Sequence, residues 1–80
     1  MAVERSFLLD LEDPIYMDFL SSGSFRVRHV RSGLAEYGST LLASASGLPL
    51  GKLPAVLALR RRVAQWYDFG PEYVDPPPRE

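Results

Sequence analysis

Residues 24–46 read SFRVRHVRSGLAEYGSTLLASAS, and the periodicity of this stretch decides the fold of the chain. Its first half alternates as a strand does, with Phe25 and Val27 set against Arg26 and Arg28. The alternation fails at Val30, which falls on the side of the arginines. A helical period fits a longer stretch, because apolar residues recur at steps of three and four. These residues are Val27, Val30, Leu34, Tyr37, Leu41 and Ala45.

The stretch therefore favours helical structure, with a weak point at Ser32-Gly33. Ser24 can cap the start of the helix, and Gly47 followed by Pro49 can end it. A glycine inside a helix costs about 1 kcal/mol relative to alanine. We therefore expect one strained helix or two helices that break near Gly33. A β-hairpin with its turn at Ser32-Gly33 is the alternative.

Helical signals flank this stretch on both sides. Residues 1–12 carry apolar side chains at helical spacing, with a short strand as the alternative. Asp13-Pro14 is a favourable helix start, and Gly23 can end that helix. The clearest helix is predicted over residues 54–68, because its apolar side chains form one stripe about 100° wide. The stripe consists of Val56, Leu59, Val63, Trp66 and Tyr67.

These patterns together predict an all-α domain of three or four short helices over residues 1–70. Residues 71–80 hold four of the seven prolines of the chain. Consecutive prolines favour an extended polyproline conformation, so we expect an extended C-terminal arm there. The alternative to the all-α fold is an α+β fold with a hairpin around residues 25–42.

Composition excludes several classes of protein. The chain has 80 residues, 46% hydrophobic and 24% charged, which is typical of one small globular domain. It has no cysteine, which excludes disulfide scaffolds and thiolate metal sites. Its one histidine, His29, has no nucleophile or carboxylate at a spacing that indicates catalysis. No apolar run approaches the roughly 20 residues of a membrane helix. We expect a cytoplasmic protein that is not an enzyme and needs no metal or cofactor.

Charge is separated into three blocks along the chain. Residues 1–20 carry a net charge of −4, residues 21–62 carry +6, and residues 63–80 carry −3. One interpretation is that the acidic ends pair with the basic middle, in surface ion pairs worth about 0–1 kcal/mol each. The other interpretation is that the basic middle faces an acidic partner.

Two arginine clusters and two aromatic residues are the candidate partner-binding residues. Guanidinium groups suit phosphate and carboxylate ligands, and aromatic side chains are enriched at interfaces. Phe69 and Tyr73 lie beyond the apolar stripe of the last predicted helix, so they are available for contact. The full candidate set is Arg26, Arg28, Arg31, Arg60, Arg61, Arg62, Phe69 and Tyr73.

The leading functional hypothesis is a non-catalytic accessory subunit or adaptor that binds and stabilises a larger protein assembly. A chain this short has a small core, so binding to a larger protein or self-association is expected to stabilise it. The alternative hypothesis is a small regulator that binds nucleic acid through Arg26, Arg28, Arg31 and Arg60–Arg62. It is the less favoured one, because the chain is not basic overall and the triple arginine fans around its helix.

Overall fold

A computed structural model describes residues 2–70, which form a four-stranded antiparallel sheet followed by two helices. The strands lie side by side in chain order, so each strand pairs with the next one through a short connection. The elements are β1 (Val3–Asp10), β2 (Ile15–Leu20), β3 (Ser24–His29), β4 (Ala35–Ser39), α1 (Thr40–Ser46), a 3-10 turn (Leu50–Lys52) and α2 (Pro54–Phe69).

The prediction of an all-α, helical domain is wrong, because the chain folds as α+β. The β3–β4 pair corresponds to the alternative hairpin around residues 25–42, and in the stretch 24–46 only Thr40–Ser46 is helical. The strand alternation that fails at Val30 is complete at His29, whose side chain is buried on the same side as Phe25. Val30 falls out of step because it already belongs to the turn after β3.

Residues 3–20 form strands and a turn where the sequence predicted helices. Asp13-Pro14 lies in the turn between β1 and β2 and starts no helix. The Asp10 carboxylate closes this turn, since its Oδ1 accepts the backbone N–H groups of Glu12 and Asp13 at 3.1 and 3.3 Å. Aspartate and proline are favoured in turns as well as at helix starts, so the Asp13-Pro14 pair alone did not distinguish the two.

Helix α2 confirms the helix predicted over residues 54–68 and extends it by one residue, to Phe69. A proline at its first position sacrifices no hydrogen bond, because the first N–H groups of a helix have no partner within the helix. The helix ends where Gly70 N–H donates to the carbonyl of Trp66 at 2.8 Å. Its buried side consists of Val56, Leu59 and Val63.

Helix α2 packs on one face of the sheet, and the hydrophobic core lies between them. Strand residues alternate between the two faces, so the side chains that lie between core positions point to the opposite face. The core cluster consists of Ile15, Met17, Phe25, Val27, Leu34, Leu53, Val56, Leu59 and Val63.

The expected C-terminal arm at residues 71–80, with Tyr73, lies outside the described residues.

Candidate binding surface on the open face of the sheet

The sheet face opposite α2 carries polar and aromatic side chains in two rows that run across the strands. Aligned residues of neighbouring strands have Cβ atoms about 5 Å apart and share a face. The first row is Ser6, Asp18, Arg26 and Tyr37, and the second row is Leu8, Tyr16, Arg28 and Ala35. We call the surface formed by these side chains the open face.

The Asp18 carboxylate is the centre of the open face and is completely buried. Ser6 Oγ donates to Asp18 Oδ1 at 2.7 Å. The Nε atoms of Arg26 and Arg28 donate to Asp18 Oδ2 at 2.9 and 2.6 Å. Burial by itself raises the pKa of Asp18, but the hydrogen bonds from Arg28, Ser6 and Arg26 outweigh burial and hold this pKa below its ordinary value. Asp18 is therefore an ionised anchor at neutral pH.

Both arginines stay accessible while Asp18 holds them. The side chain of Arg26 is 30% exposed and that of Arg28 is 39% exposed. A guanidinium group has five N–H donors, so the donors that Asp18 does not engage can bind the oxygen atoms of a ligand. Two cations and one anion leave the open face with a net charge of +1.

Two tyrosines flank the anchored arginines. The guanidinium carbon of Arg28 lies 4.7 Å from the centre of the Tyr16 ring, a cation–π contact that holds both groups in place. Tyr37 is aligned with Arg26 on the edge strand β4, and 61% of its surface is exposed. The open face thus presents two oriented cations between two aromatic rings.

The other candidate arginines lie elsewhere and do not join Arg26 and Arg28. Three of them pair with carboxylates around the turns and α2, while Arg61 is exposed on α2. The pairs join Arg31 to Asp13 at 3.5 Å, Arg60 to Asp10 at 3.3 Å and Arg62 to Glu36 at 2.6 Å. Acidic residues of the first block, Asp10, Asp13 and Asp18, thus pair with the basic middle of the chain.

The two aromatic candidates are also separate from the open face, and three leucines of the loop after α1 are divided between the core and the surface. Phe69 is exposed at the end of α2, and Tyr73 lies outside the described residues. Leu53 completes the core, whereas Leu48 and Leu50 remain exposed beside it.

Sequence reasoning missed a network around the buried ring of His29. Ser32 donates its backbone N–H to His29 Nδ1 at 3.1 Å, so Nδ1 is an acceptor, and the Ser32 hydroxyl lies 2.6 Å from the same atom. The proton of the ring is then on Nε2, which donates to Asp13 Oδ1 at 2.9 Å. The Tyr67 hydroxyl donates to the same carboxylate at 3.0 Å. Burial by itself raises the pKa of Asp13, but the bonds from His29 and Tyr67 hold it below its ordinary value.

This network contains a serine, a histidine and an aspartate, but its geometry is that of a turn support. His29 is completely buried. The Ser32 hydroxyl accepts the backbone N–H of Leu34 at 3.1 Å, which ties it into the β3–β4 turn. General-base catalysis needs a ring that reaches the substrate. The network therefore joins the two turns at this end of the sheet to α2.

The open face was only partly accessible to sequence reasoning. Arg26 and Arg28 were identified, but Asp18, Tyr16 and Tyr37 were not. The available signal was the spacing of two residues in Tyr16-x-Asp18 and in Arg26-x-Arg28, which places each pair on one face of a strand.

Within residues 2–70, no group of three or more His, Asp or Glu side chains is arranged to hold a metal ion. None of the helices in that range has the length and the apolar character needed to span a bilayer. Comparisons of the chain with protein-family models, with curated proteins and with solved structures find no match.

Proposed function

We propose that the protein binds single-stranded nucleic acid through the open face. The observation that carries this proposal is the side-by-side placement of Arg26 and Arg28, held by one buried carboxylate and flanked by Tyr16 and Tyr37. This is the narrower form of the nucleic-acid hypothesis drawn from the sequence, since it rests on two of the six arginines.

The chemistry of the open face suits a flexible strand. Guanidinium groups bind phosphate oxygens with several parallel hydrogen bonds. An exposed tyrosine ring can stack on any base, and such stacking contributes about 1–3 kcal/mol per base. Because Asp18 fixes both guanidinium groups before a ligand arrives, less side-chain entropy is lost on binding.

A duplex is a poorer ligand for this geometry. Reading a duplex requires an element that enters the major groove, usually a helix. The arginines of α2 are not arranged for that role, since Arg60, Arg61 and Arg62 are consecutive on a helix and therefore fan around it instead of facing one groove. A sheet surface with exposed rings fits unpaired bases instead.

A titration by fluorescence anisotropy tests the proposal, with labelled single-stranded DNA, single-stranded RNA and duplex at two salt concentrations. Two phosphate contacts predict a slope of about −1.4 in log affinity against log salt, so raising salt about fourfold lowers affinity about sevenfold. We expect Arg26→Gln and Tyr37→Ser to weaken binding of the single strands.

Arg61→Gln is the matched control, because Arg61 is an exposed arginine on α2 and lies outside the open face. It should bind single strands almost as tightly as the native chain does, with a small loss of affinity because the chain carries one positive charge fewer. Absence of binding to single strands at low salt would refute the proposal. Equal losses for Arg26→Gln and Arg61→Gln would refute the role of the open face.

The accessory-subunit hypothesis stays a second candidate, and one feature of β1 supports it. β1 is an edge strand of eight residues with Phe7 and Leu8 exposed, so a larger protein could add a strand to it. Capture of a partner by the tagged chain, with Phe7→Lys as the variant that loses it, is the discriminating test. Phe7→Lys should leave oligonucleotide binding unchanged, because Phe7 lies off the open face.

A further inference from the structure

A long stretch without charge forms one side of the molecule. Between Glu36 and Lys52 there are fifteen consecutive uncharged residues, which include all of α1. None of the residues of α1 is buried, so the helix contributes little to the core. Leu41 and Leu42 of this helix are 76% and 71% exposed. In the loop after it, Leu48 and Leu50 are 46% and 43% exposed.

A cleft lies beside these leucines. It has a volume of about 270 Å³ and separates α1 from the edge strand β4 and from the start of α2. Its lining is mainly apolar and includes Phe25, Leu42, Leu48 and Leu53. Leu42 and Leu48 line this cleft, and Leu48 lines a neighbouring cleft together with Leu50. These three leucines, with the exposed Leu41 next to Leu42 on α1, form the apolar surface that we call the α1 surface.

We propose that the α1 surface binds the α1 surface of a second copy of this chain, in a twofold-symmetric dimer. In such a dimer the same patch meets itself, so a charged patch would bring like charges together. The α1 surface carries no charge, so pairing it with its own copy brings no like charges together. A partner that selected this chain by charge would find nothing on this surface to recognise.

The available area agrees with a dimer of ordinary size. The exposed parts of the four leucines amount to roughly 400 Å² per copy, about half of the ~800 Å² that each partner contributes to a standard interface. The cleft and the polar rim of α1 can supply the remainder. The largest apolar patch on a monomer is typically about 300–600 Å² and is often a functional site.

Sedimentation equilibrium of the full chain, from about 5 to about 200 µM, tests this proposal. We expect a dimer within that range. Leu41→Asp should raise the dissociation constant about 100-fold or more, because a symmetric contact contains the buried aspartate twice. Leu11→Asp is the matched control, since Leu11 is 77% exposed in the β1–β2 turn, far along the chain from α1. It should leave the dissociation constant unchanged.

Three results would overturn the proposal: a native chain that is a monomer at the highest concentration, a Leu41→Asp variant that stays dimeric, or a Leu11→Asp variant that dissociates equally. Leu50→Asp serves as a second variant of the α1 surface, and the circular dichroism spectrum of each variant shows whether it is folded. The cleft shares Tyr37 with the open face. Oligonucleotide binding per chain should nevertheless persist in Leu41→Asp, because Leu41 lines neither the cleft nor the open face. A chain that fails to dimerise would therefore count against the dimer alone, and a chain that fails to bind oligonucleotides would count against the proposed function alone.

Discussion

Replacing Asp18 by asparagine removes the charge at the centre of the open face and turns one acceptor oxygen into an NH2 donor. The Ser6 hydroxyl can accept from this donor, while the remaining oxygen still faces the Nε atoms of Arg26 and Arg28. The carboxylate accepts hydrogen bonds from Arg26, Arg28 and Ser6, and it is completely buried. A hydrogen bond to a charged group contributes about 1.5–3 kcal/mol, against about 0.5–1.5 kcal/mol for a neutral one. Two arginine bonds therefore lose about 1 kcal/mol each.

Asp18→Asn is therefore expected to lower the unfolding free energy by about 2 kcal/mol at neutral pH. The loss is no larger because both arginines are partly exposed, so water can replace part of the hydrogen bonding that they lose. In a domain of this size 1 kcal/mol corresponds to about 4–8 °C in Tm. The variant should therefore melt about 8–16 °C below the native chain.

The loss should depend on pH in a defined direction. Because the pKa of Asp18 is lower in the folded chain than its ordinary value of 3.8, the ionised carboxylate stabilises the fold fully above 3.8. This contribution disappears as the pH falls through the lowered pKa. The difference between the native chain and Asp18→Asn should therefore be constant near neutral pH and close in strong acid. The pKa values of Asp10 and Asp13 are also lowered, but both residues are present in each protein and cancel in the difference.

Urea unfolding of both proteins at about pH 7 and at the lowest pH where they stay folded measures this difference. Asp68→Asn is the control, because Asp68 is exposed on α2 and its substitution should change stability by less than about 0.5 kcal/mol. The reasoning fails if Asp18→Asn is as stable as the native chain at neutral pH. It also fails if the difference persists unchanged in acid.

Two further substitutions test the packing of the core by the same unfolding assay. Gly38→Ala should cost about 1–3 kcal/mol, because its Cβ would lie 2.5 Å from Cζ of the buried Phe25 ring. Gly51→Ala, where nothing lies within 4 Å of the new Cβ, should be nearly neutral; equal effects at both glycines would contradict the packing described. Leu59→Ala should cost about 2–5 kcal/mol, since Leu59 is completely buried. The half-exposed Leu57 of the same helix should tolerate alanine, and a comparable loss there would show that α2 packs differently.

The helix α2 could be predicted because one side of it is buried and because it is 16 residues long, which lets the helical period show. Val56, Leu59 and Val63 all face the sheet, and the stripe continues to the partly buried Trp66. The strands could not be predicted with the same ease, because each is only five to eight residues long. In β3 the third core position is occupied by His29, so the alternation of apolar and polar residues could not be recognised there. This polar side chain is buried in the structure, where Asp13 and Ser32 satisfy its ring nitrogens.

The composition of the open face was beyond sequence reasoning for a different reason. Arg26 and Arg28 attract attention as a basic cluster, but their environment depends on the register of β2 against β3. The register aligns Arg26 with Asp18, eight residues earlier in the chain. A shift of one residue would place Asp18 on the core face, where no arginine could reach it. The charge blocks along the sequence offered internal pairing as one of two interpretations, and they could not show which carboxylate would be shared.

The position of Asp18 argues that the open face is built to present its arginines. A buried ion pair costs desolvation energy, and apolar residues of similar size at such positions are often as stabilising or more so. Strands β2 and β3 already place Ile15, Met17 and Val27 on the core side, so the sheet does not depend on the charged row for its hydrophobic burial. A carboxylate that is fully covered by two partly exposed arginines fixes the direction of those cations. Fixed, partly exposed cations beside the exposed Tyr37 ring suit an anionic, planar ligand. The binding measurements on Arg26→Gln and Tyr37→Ser therefore examine the feature that stability alone does not explain.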